Sequence, residues 1–177
     1  SRKLFKVCAL LMLAVMSCLL FSGCGGQSEQ KKFVITYLPN ESTDKNADAR
    51  KGMAGDLSKV LGMEVTELVS NDYNAVIEAM RTGKADMAYF GPLSFCLAYE
   101  RAGAEPIGMI AKDKDKKNAT YKSVLVTSSK NTDINSIQDI KGKTMAFVDP
   151  NSTSGNLIPS AAIMKAFPGE KLSMDDL

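Results

Sequence analysis

The sequence predicts an α/β fold in which helices flank a mainly parallel sheet, on three observations. Short β-prone runs alternate with segments of helical periodicity from residue 33 onward. The first run, Phe-Val-Ile-Thr-Tyr-Leu at 33–38, is almost continuously apolar, as suits a parallel strand covered on both faces. Glycines and acid or amide residues punctuate the junctions where helices should stop and start. The resulting β-α-β-α-β-α-β order implies right-handed crossovers.

After the strand at 33–38, a helix is expected over 46–61, with Met53, Leu57, Val60 and Leu61 at i, i+4, i+7 and i+8 and Gly62 as its stop. Residues 64–69 form the second expected strand. Asn71 or Asp72 should cap the next helix, whose stripe is Val76, Ala79 and Met80 and whose end is Gly83. A third strand at 85–90 leads through Gly91 and Pro92 into a helix reaching about residue 101, with proline in the first turn, where its missing N–H costs little. Residues 105–111 read as a fourth strand. A sign-alternating charged loop at 112–117 precedes further expected strands at 121–127 and 144–148, with a helical turn at 136–140 between them.

The segment Asp149-Pro150-Asn151-Ser152-Thr153-Ser154-Gly155 lies where the last of these strands should give way to a helix carrying Leu157, Ala161 and Met164, with Gly169 as its stop. Three consecutive hydroxyls at a helix start can converge with unpaired N–H groups and the helix dipole on one anion. Ordinary N-capping is the plainer account of the same residues. Pro159 falls where it would remove a backbone bond, so the helix either starts near Asn156 or bends in its second turn.

The N-terminus reads as a secretory signal over 1–23: Arg2, Lys3 and Lys6 precede an apolar run at 7–21 that is short for a membrane span, followed by Ser22 and Gly23. Leu-Phe-Ser-Gly-Cys resembles a bacterial lipobox, which makes Cys24 the expected lipidated residue and 24–32 a polar tether; cleavage without lipid, or an uncleaved anchor, would fit the same run. Cys8 and Cys18 leave with the signal, so Cys96 remains as the lone thiol, expected to be small and buried. The chain opens on serine and stops soon after its last helix, and is expected to be a fragment cut at both ends.

Composition excludes several function classes. Removal of the signal's three cations leaves 19 Lys+Arg against 20 Asp+Glu, a balance of −1 that does not suit a nucleic-acid partner. With no histidine and one cysteine left after the signal, a Cys/His nucleophile and a His-containing zinc site are ruled out, and no cofactor, metal or catalytic residue is expected. Gly142-Lys143-Thr144 imitates the end of a Walker A motif, but Ile137 stands where its first glycine belongs, and the segment precedes a strand instead of following one.

Four motifs in order, Asp72-Tyr73-Asn74-Ala75-Val76-Ile77-Glu78-Ala79-Met80-Arg81, Ala85-Asp86-Met87-Ala88-Tyr89-Phe90-Gly91-Pro92, Tyr121-Lys122-Ser123 and Asp149 to Gly155, closely resemble the phosphate/phosphite/phosphonate-binding proteins of bacterial ABC importers. The resemblance implies a type II periplasmic-binding fold with two helix-flanked lobes, the first at 33–120 and an incomplete second at 121–177. It implies a non-enzymatic, monomeric, membrane-anchored extracytoplasmic protein that hands a small anion to an ABC permease. It further implies that Tyr73 and Tyr121 donate phenols to the anion from opposite sides, that Ser152, Thr153, Ser154 and Gly155 supply hydroxyls and N–H groups, and that Tyr89 and Phe90 lie at a strand end facing the cleft. Such a fold could equally serve a ligand-sensing or interaction lipoprotein, or bind another oxyanion or organic anion.

Overall fold

The computed structural model describes residues 31–111, 113–170 and 172. The chain divides between Lys31 and Lys32, and the fold belongs to the unit that begins at Lys32. The expected signal segment, Cys24 and the tether up to residue 30 lie outside the described residues.

Three parallel strands form the sheet: β1 (Phe33–Tyr37), β2 (Val65–Leu68) and β3 (Met87–Tyr89), in the order β2-β1-β3. Phe33 pairs with Val65, and Ile35 pairs with both Glu67 and Met87, so β1 is the strand with neighbours on each side. Asp86 extends the β1–β3 ladder by one rung. Its Oδ2 accepts from Val34 N–H at 2.8 Å while its own N–H donates to Val34 O at 2.8 Å.

The crossovers are α1 (Ala47–Leu61), between β1 and β2, and α2 (Tyr73–Arg81), between β2 and β3; α3 (Pro92–Ala102) follows β3. Because β2 and β3 lie on opposite sides of β1, two right-handed crossovers must place α1 and α2 on opposite faces. The alternation of β1 agrees. Tyr37 faces α1, with the Arg50 guanidinium 5.7 Å from its ring centroid and its hydroxyl 3.6 Å from Met53 Sδ, whereas Leu38 packs with Tyr73 and Val76 of α2. Both faces of β1 are therefore covered, and Ile35, Thr36, Tyr37 and Leu38 are all buried.

Asp72 caps α2, its Oδ1 accepting from Ala75 N–H at 2.7 Å, and Gly83 ends the turn beyond the helix with φ 68°. The buried face of α2 comprises Tyr73, Val76, Ile77 and Ala79. Ile77 meets Ala98 of α3 and Ala104, with Met80, Phe90 and Leu97 around them. This α2–α3 seam is the second half of the core.

Several expectations are corrected. The helix at 46–61 forms, but the face it turns to the sheet runs through Arg50, Met53, Ala54 and Leu57, and Val60 is 82 % exposed. Tyr37 draws that face round, because Arg50 and Met53 are its partners. Cys96 is exposed, not buried: two positions from both Ser94 and Ala98, it lies about 200° around α3 from the buried stripe. The expected strands at 105–111, 121–127 and 144–148 form no ladder, and Ile107, Met109, Val124, Val126 and Val148 are exposed. Strand propensity needs a partner's N–H and C=O groups to become a strand, and none among the described residues pairs with these segments.

The last helix, α4 (Ile158–Ala166), is preceded by a wide π turn at Thr153–Leu157, which resolves the problem posed by Pro159. The residue added by this turn re-phases the helix, so Pro159, Ser160 and Ile163 are buried while Leu157 and Ala161, two of the expected stripe, face outward.

Truncation of the core should separate the two kinds of apolar position. Ile77→Ala, at a fully buried site, should cost about 2–5 kcal/mol, whereas Val60→Ala should stay within about 0.5 kcal/mol, as read from urea-unfolding midpoints at constant slope.

Candidate functional site

In an open parallel sheet, ligands collect outside the carboxyl ends of the strands, where successive crossovers diverge. Here that edge lies beyond Tyr37 and Tyr89, and the loops leaving it carry Asn40, Glu41, Asp72, Tyr73 and Gly91. The Asp149 to Gly155 segment joins the same edge through one long-range hydrogen bond. Leu93 N–H, in the first turn of α3, donates to Thr153 Oγ1 at 2.8 Å.

Pro159 explains how that segment is held. Its missing N–H leaves the carbonyls four and five residues back, Gly155 O and Ser154 O, without helical donors. Each is satisfied from elsewhere: Val148 N–H donates to Gly155 O at 3.1 Å, and Ser123 Oγ donates to Ser154 O at 2.7 Å. At the other end of the turn, Ser152 O accepts from both Asn156 N–H at 3.2 Å and Leu157 N–H at 3.0 Å. Asp149 sets the entry, its carboxylate accepting from Asn151 N–H at 2.8 Å and its carbonyl from Ser152 N–H at 2.9 Å.

These bonds decide what the hydroxyls can offer. Ser152 Oγ accepts from Gly155 N–H at 3.0 Å, and Thr153 Oγ1 accepts from Leu93 N–H, so backbone donors occupy lone pairs on both and both O–H groups act as donors, that of Ser152 toward the Tyr73 phenol. Ser152 is nevertheless buried, so an anion that it serves must come to a dehydrated donor.

Around this edge the tyrosines converge. A methyl group built on Gly91 would stand 3.6 Å from Thr153 Oγ1 and 3.9 Å from Tyr121 Oη, which places the Tyr121 phenol beside the start of α3. Tyr73 lies in the α2 first turn, buried, and its hydroxyl donates to Asn40 Oδ1 at 3.0 Å. Burial pushes the Tyr73 phenol above its ordinary value, the nearby Ser152 hydroxyl offsets part of the rise, and the charges of Asp149, Glu41 and Tyr121 add to it. Tyr89 is raised first by burial and then by Glu41 and Tyr121. Both phenols remain neutral hydrogen-bonding groups through the physiological range.

Five of the expected residues, Tyr73, Tyr89, Tyr121, Ser152 and Thr153, thus share one neighbourhood. Ser154 and Gly155 border a cavity of about 910 Å³, walled also by residues such as Val124, Val126, Lys143, Phe147 and Ile163. None of the five lines that cavity. Asn40, Glu41 and the side chain of Asp149 were not singled out from sequence, although a polar loop directly after a buried strand is the signal that could have found Asn40 and Glu41. Among the described residues no group of three or more His, Cys, Asp or Glu is placed to hold a metal ion.

A three-stranded parallel sheet with hydroxyl donors gathered at its carboxyl edge defines the chain as part of an α/β solute-binding fold. The comparisons give the particular family. The model for the ABC transporter, phosphonate, periplasmic substrate-binding protein family matches residues 35–172, and the chain belongs to that family, one of transport binding proteins and not of enzymes. It is 31 % identical over 157 residues to a phosphate-import protein of Mycolicibacterium smegmatis, covering 83 % of this chain and 49 % of that protein. It is 31 % identical over 145 residues to the phosphonates-binding periplasmic protein of Escherichia coli, covering 79 % and 42 %. The chain spans about half the length of these relatives. The crystal structure of a binding protein component of an ABC phosphonate transporter from Pseudomonas aeruginosa superposes with a TM-score of 0.65 at 24 % identity, over 82 % of this chain and 48 % of that one, and supports the fold.

Two outcomes follow from the geometry. A Cβ at Gly155 would lie 2.5 Å from Val148 Cβ and Cγ2 and 2.9 Å from Ser152 Oγ, so Gly155→Ala should destabilise by about 1–3 kcal/mol; Val148→Ala added to it should restore part of the loss in thermal unfolding. In an absorbance titration, at least three of the five tyrosines, namely Tyr37, Tyr73 and Tyr89, should ionise above 10.0. Because their folded values are raised, the stability they contribute is fully present below pH 10.0 and is lost as pH climbs through the folded values, so the unfolding temperature should fall there.

Proposed function

We propose that the protein is an extracytoplasmic solute-binding lipoprotein, anchored through lipid on Cys24, that captures phosphonate, phosphite or phosphate as a monomer and delivers it to an ABC permease. Residues 33–120 act as one lobe and residues from 121 onward begin the other, and the anion binds between them. One observation carries this proposal: the hydroxyls of Ser152 and Thr153 meet Tyr73, Tyr89 and Tyr121 at the carboxyl edge of the sheet in a chain of this family.

The residue types suit capture followed by release. A tetrahedral oxyanion leaving water needs several donors, and neutral hydroxyls supply directed bonds of modest strength without the deep trap of a buried cation. Such a site selects by whether every oxygen finds a matching partner.

Calorimetry on the full-length protein with methylphosphonate, phosphite, phosphate and sulfate is the direct test. We expect binding of at least one phosphorus oxyanion, and failure of all four would overturn the proposal. Ser152→Ala and Thr153→Ala should each weaken that binding by about 1–3 kcal/mol, since each removes a donor from a desolvated oxygen. Unchanged affinity in both variants would move the site elsewhere. Cys24→Ala should shift the protein from the membrane fraction to the soluble one.

A further inference from the structure

We propose that Arg50, in α1 and on the opposite face of the sheet from α2, is a positioning residue for anion binding: its guanidinium clamps the loop between β1 and α1, and through that loop holds the Tyr73 hydroxyl in place. This rests on the oxyanion-binding function proposed above and adds to it a residue that acts without touching the ligand.

The Arg50 side chain is only 13 % exposed and serves three elements at once. Its Nε lies 2.9 and 3.1 Å from the two carboxylate oxygens of Glu67 in β2, and its guanidinium carbon stands 5.7 Å from the ring centroid of Tyr37 in β1. Nη1 reaches the loop, donating to Glu41 O at 2.8 Å and Thr43 O at 2.7 Å. A planar fork can hold a carboxylate on one nitrogen and two carbonyls on another. A lysine has a single ammonium nitrogen, which cannot occupy both places.

The clamp reaches the crevice through side chains of the same loop. At the start of the loop, the N–H groups of Glu41 and Ser42 both donate to Leu38 O, at 2.9 and 3.1 Å, and Arg50 fixes the carbonyls that follow. The Glu41 carboxylate, held in this way, accepts from Asn40 Nδ2 at 3.0 Å and from Asn46 Nδ2 at 3.3 Å. With its amide nitrogen committed to Glu41, Asn40 has Oδ1 left for Tyr73, and an amide oxygen can only accept, so it takes the Tyr73 proton at 3.0 Å. One chain of contacts therefore runs from Arg50 through Glu41 and Asn40 to Tyr73, round the carboxyl end of β1 from one face of the sheet to the other.

This arrangement separates placement from stability. The loop carbonyl of Thr43 is bonded at an exposed position, so water can replace the guanidinium there without leaving a buried group unpaired. What water cannot replace is the fixed distance between the loop and α2.

Calorimetry with methylphosphonate and with inorganic phosphate on the full-length protein tests the clamp in the wild type, Arg50→Lys, Asn40→Ala and the double variant. Arg50→Lys should weaken binding of whichever anion the wild type takes by about tenfold, and Asn40→Ala by a similar factor. Because both cut one chain of contacts, the double variant should be weaker than either single one by no more than about twofold. Tyrosine absorbance supplies a readout that general loosening would not give. In Arg50→Lys, Tyr73 and Tyr89, raised first by burial and also by Glu41, should ionise nearer 10.0, whereas Tyr37, which meets Glu67 and the retained cation, should keep its value. Wild-type affinity in Arg50→Lys, factors that multiply in the double variant, or a Tyr37 that falls together with the other two each overturns the positioning role while leaving oxyanion binding intact. If Arg50→Lys does not fold, Asn46→Ala, which releases only Glu41 Oε2, decides: weakened binding supports the loop's role and wild-type binding overturns it. A wild type that binds neither anion overturns oxyanion binding and this inference together.

Discussion

The whole arrangement depends on two carbonyls that Pro159 deprives of helical donors. Had residue 159 carried an N–H, Ser154 O or Gly155 O could have been satisfied within the helix, and neither Ser123 nor Val148 would be required beside the turn. Because they are required, the segments around 121–127 and 144–148 are pinned to the Ser-Thr turn although neither forms a ladder. Tyr121 precedes Ser123 by two residues, so the bond that satisfies a helix carbonyl also sets the chain that brings a phenol beside Gly91.

A second constraint comes from the sheet. With β1 between β2 and β3, the two crossovers leave in opposite directions and the loops beyond Tyr37 and Tyr89 part. Polar side chains buried at this end of the sheet are paired: Thr36 with Ser70 at 3.0 Å, and Ser94 with both the N–H and the C=O of Gly91. These pairs satisfy a crevice wall that would otherwise present unpaired polar groups, and they fix the first turn of α3, from which Leu93 reaches Thr153.

The elements legible in the sequence were those whose signals are local. Asp72 as a cap, Pro92 in a first turn, Gly62 and Gly83 as stops and the continuous apolar run of β1 all appear where their backbone chemistry puts them. The three absent strands were misjudged because propensity at 105–111, 121–127 and 144–148 says nothing of a partner, and pairing is a tertiary fact. The phase of α4 was missed for a related reason. Pro159 announced an irregularity, but whether the chain would shift its start or widen a turn depended on donors more than ten residues upstream in one case and thirty in the other. At the site, the residue types were readable and the direction of their hydrogen bonds was not: the Tyr73 proton is assigned by Asn40, and Asn40 by Glu41, a sequence neighbour whose role shows only in three dimensions.

Gly91 and Gly155 flank the same turn and differ in one respect that bears on how such a site can diversify. At Gly155 there is no room even for a methyl group, so the turn's shape is closed to substitution. At Gly91 the backbone has φ −81°, open to any L-residue, and a methyl group would meet Thr153, Ser94 and Tyr121 at 3.6–3.9 Å, which is ordinary contact. Small changes in bulk are therefore affordable at Gly91, between a hydroxyl and a phenol of the crevice, without disturbing the turn itself. A lineage that reshapes this crevice has a place for adaptation at Gly91, and in the turn at Gly155 a frame in which adaptation is forbidden.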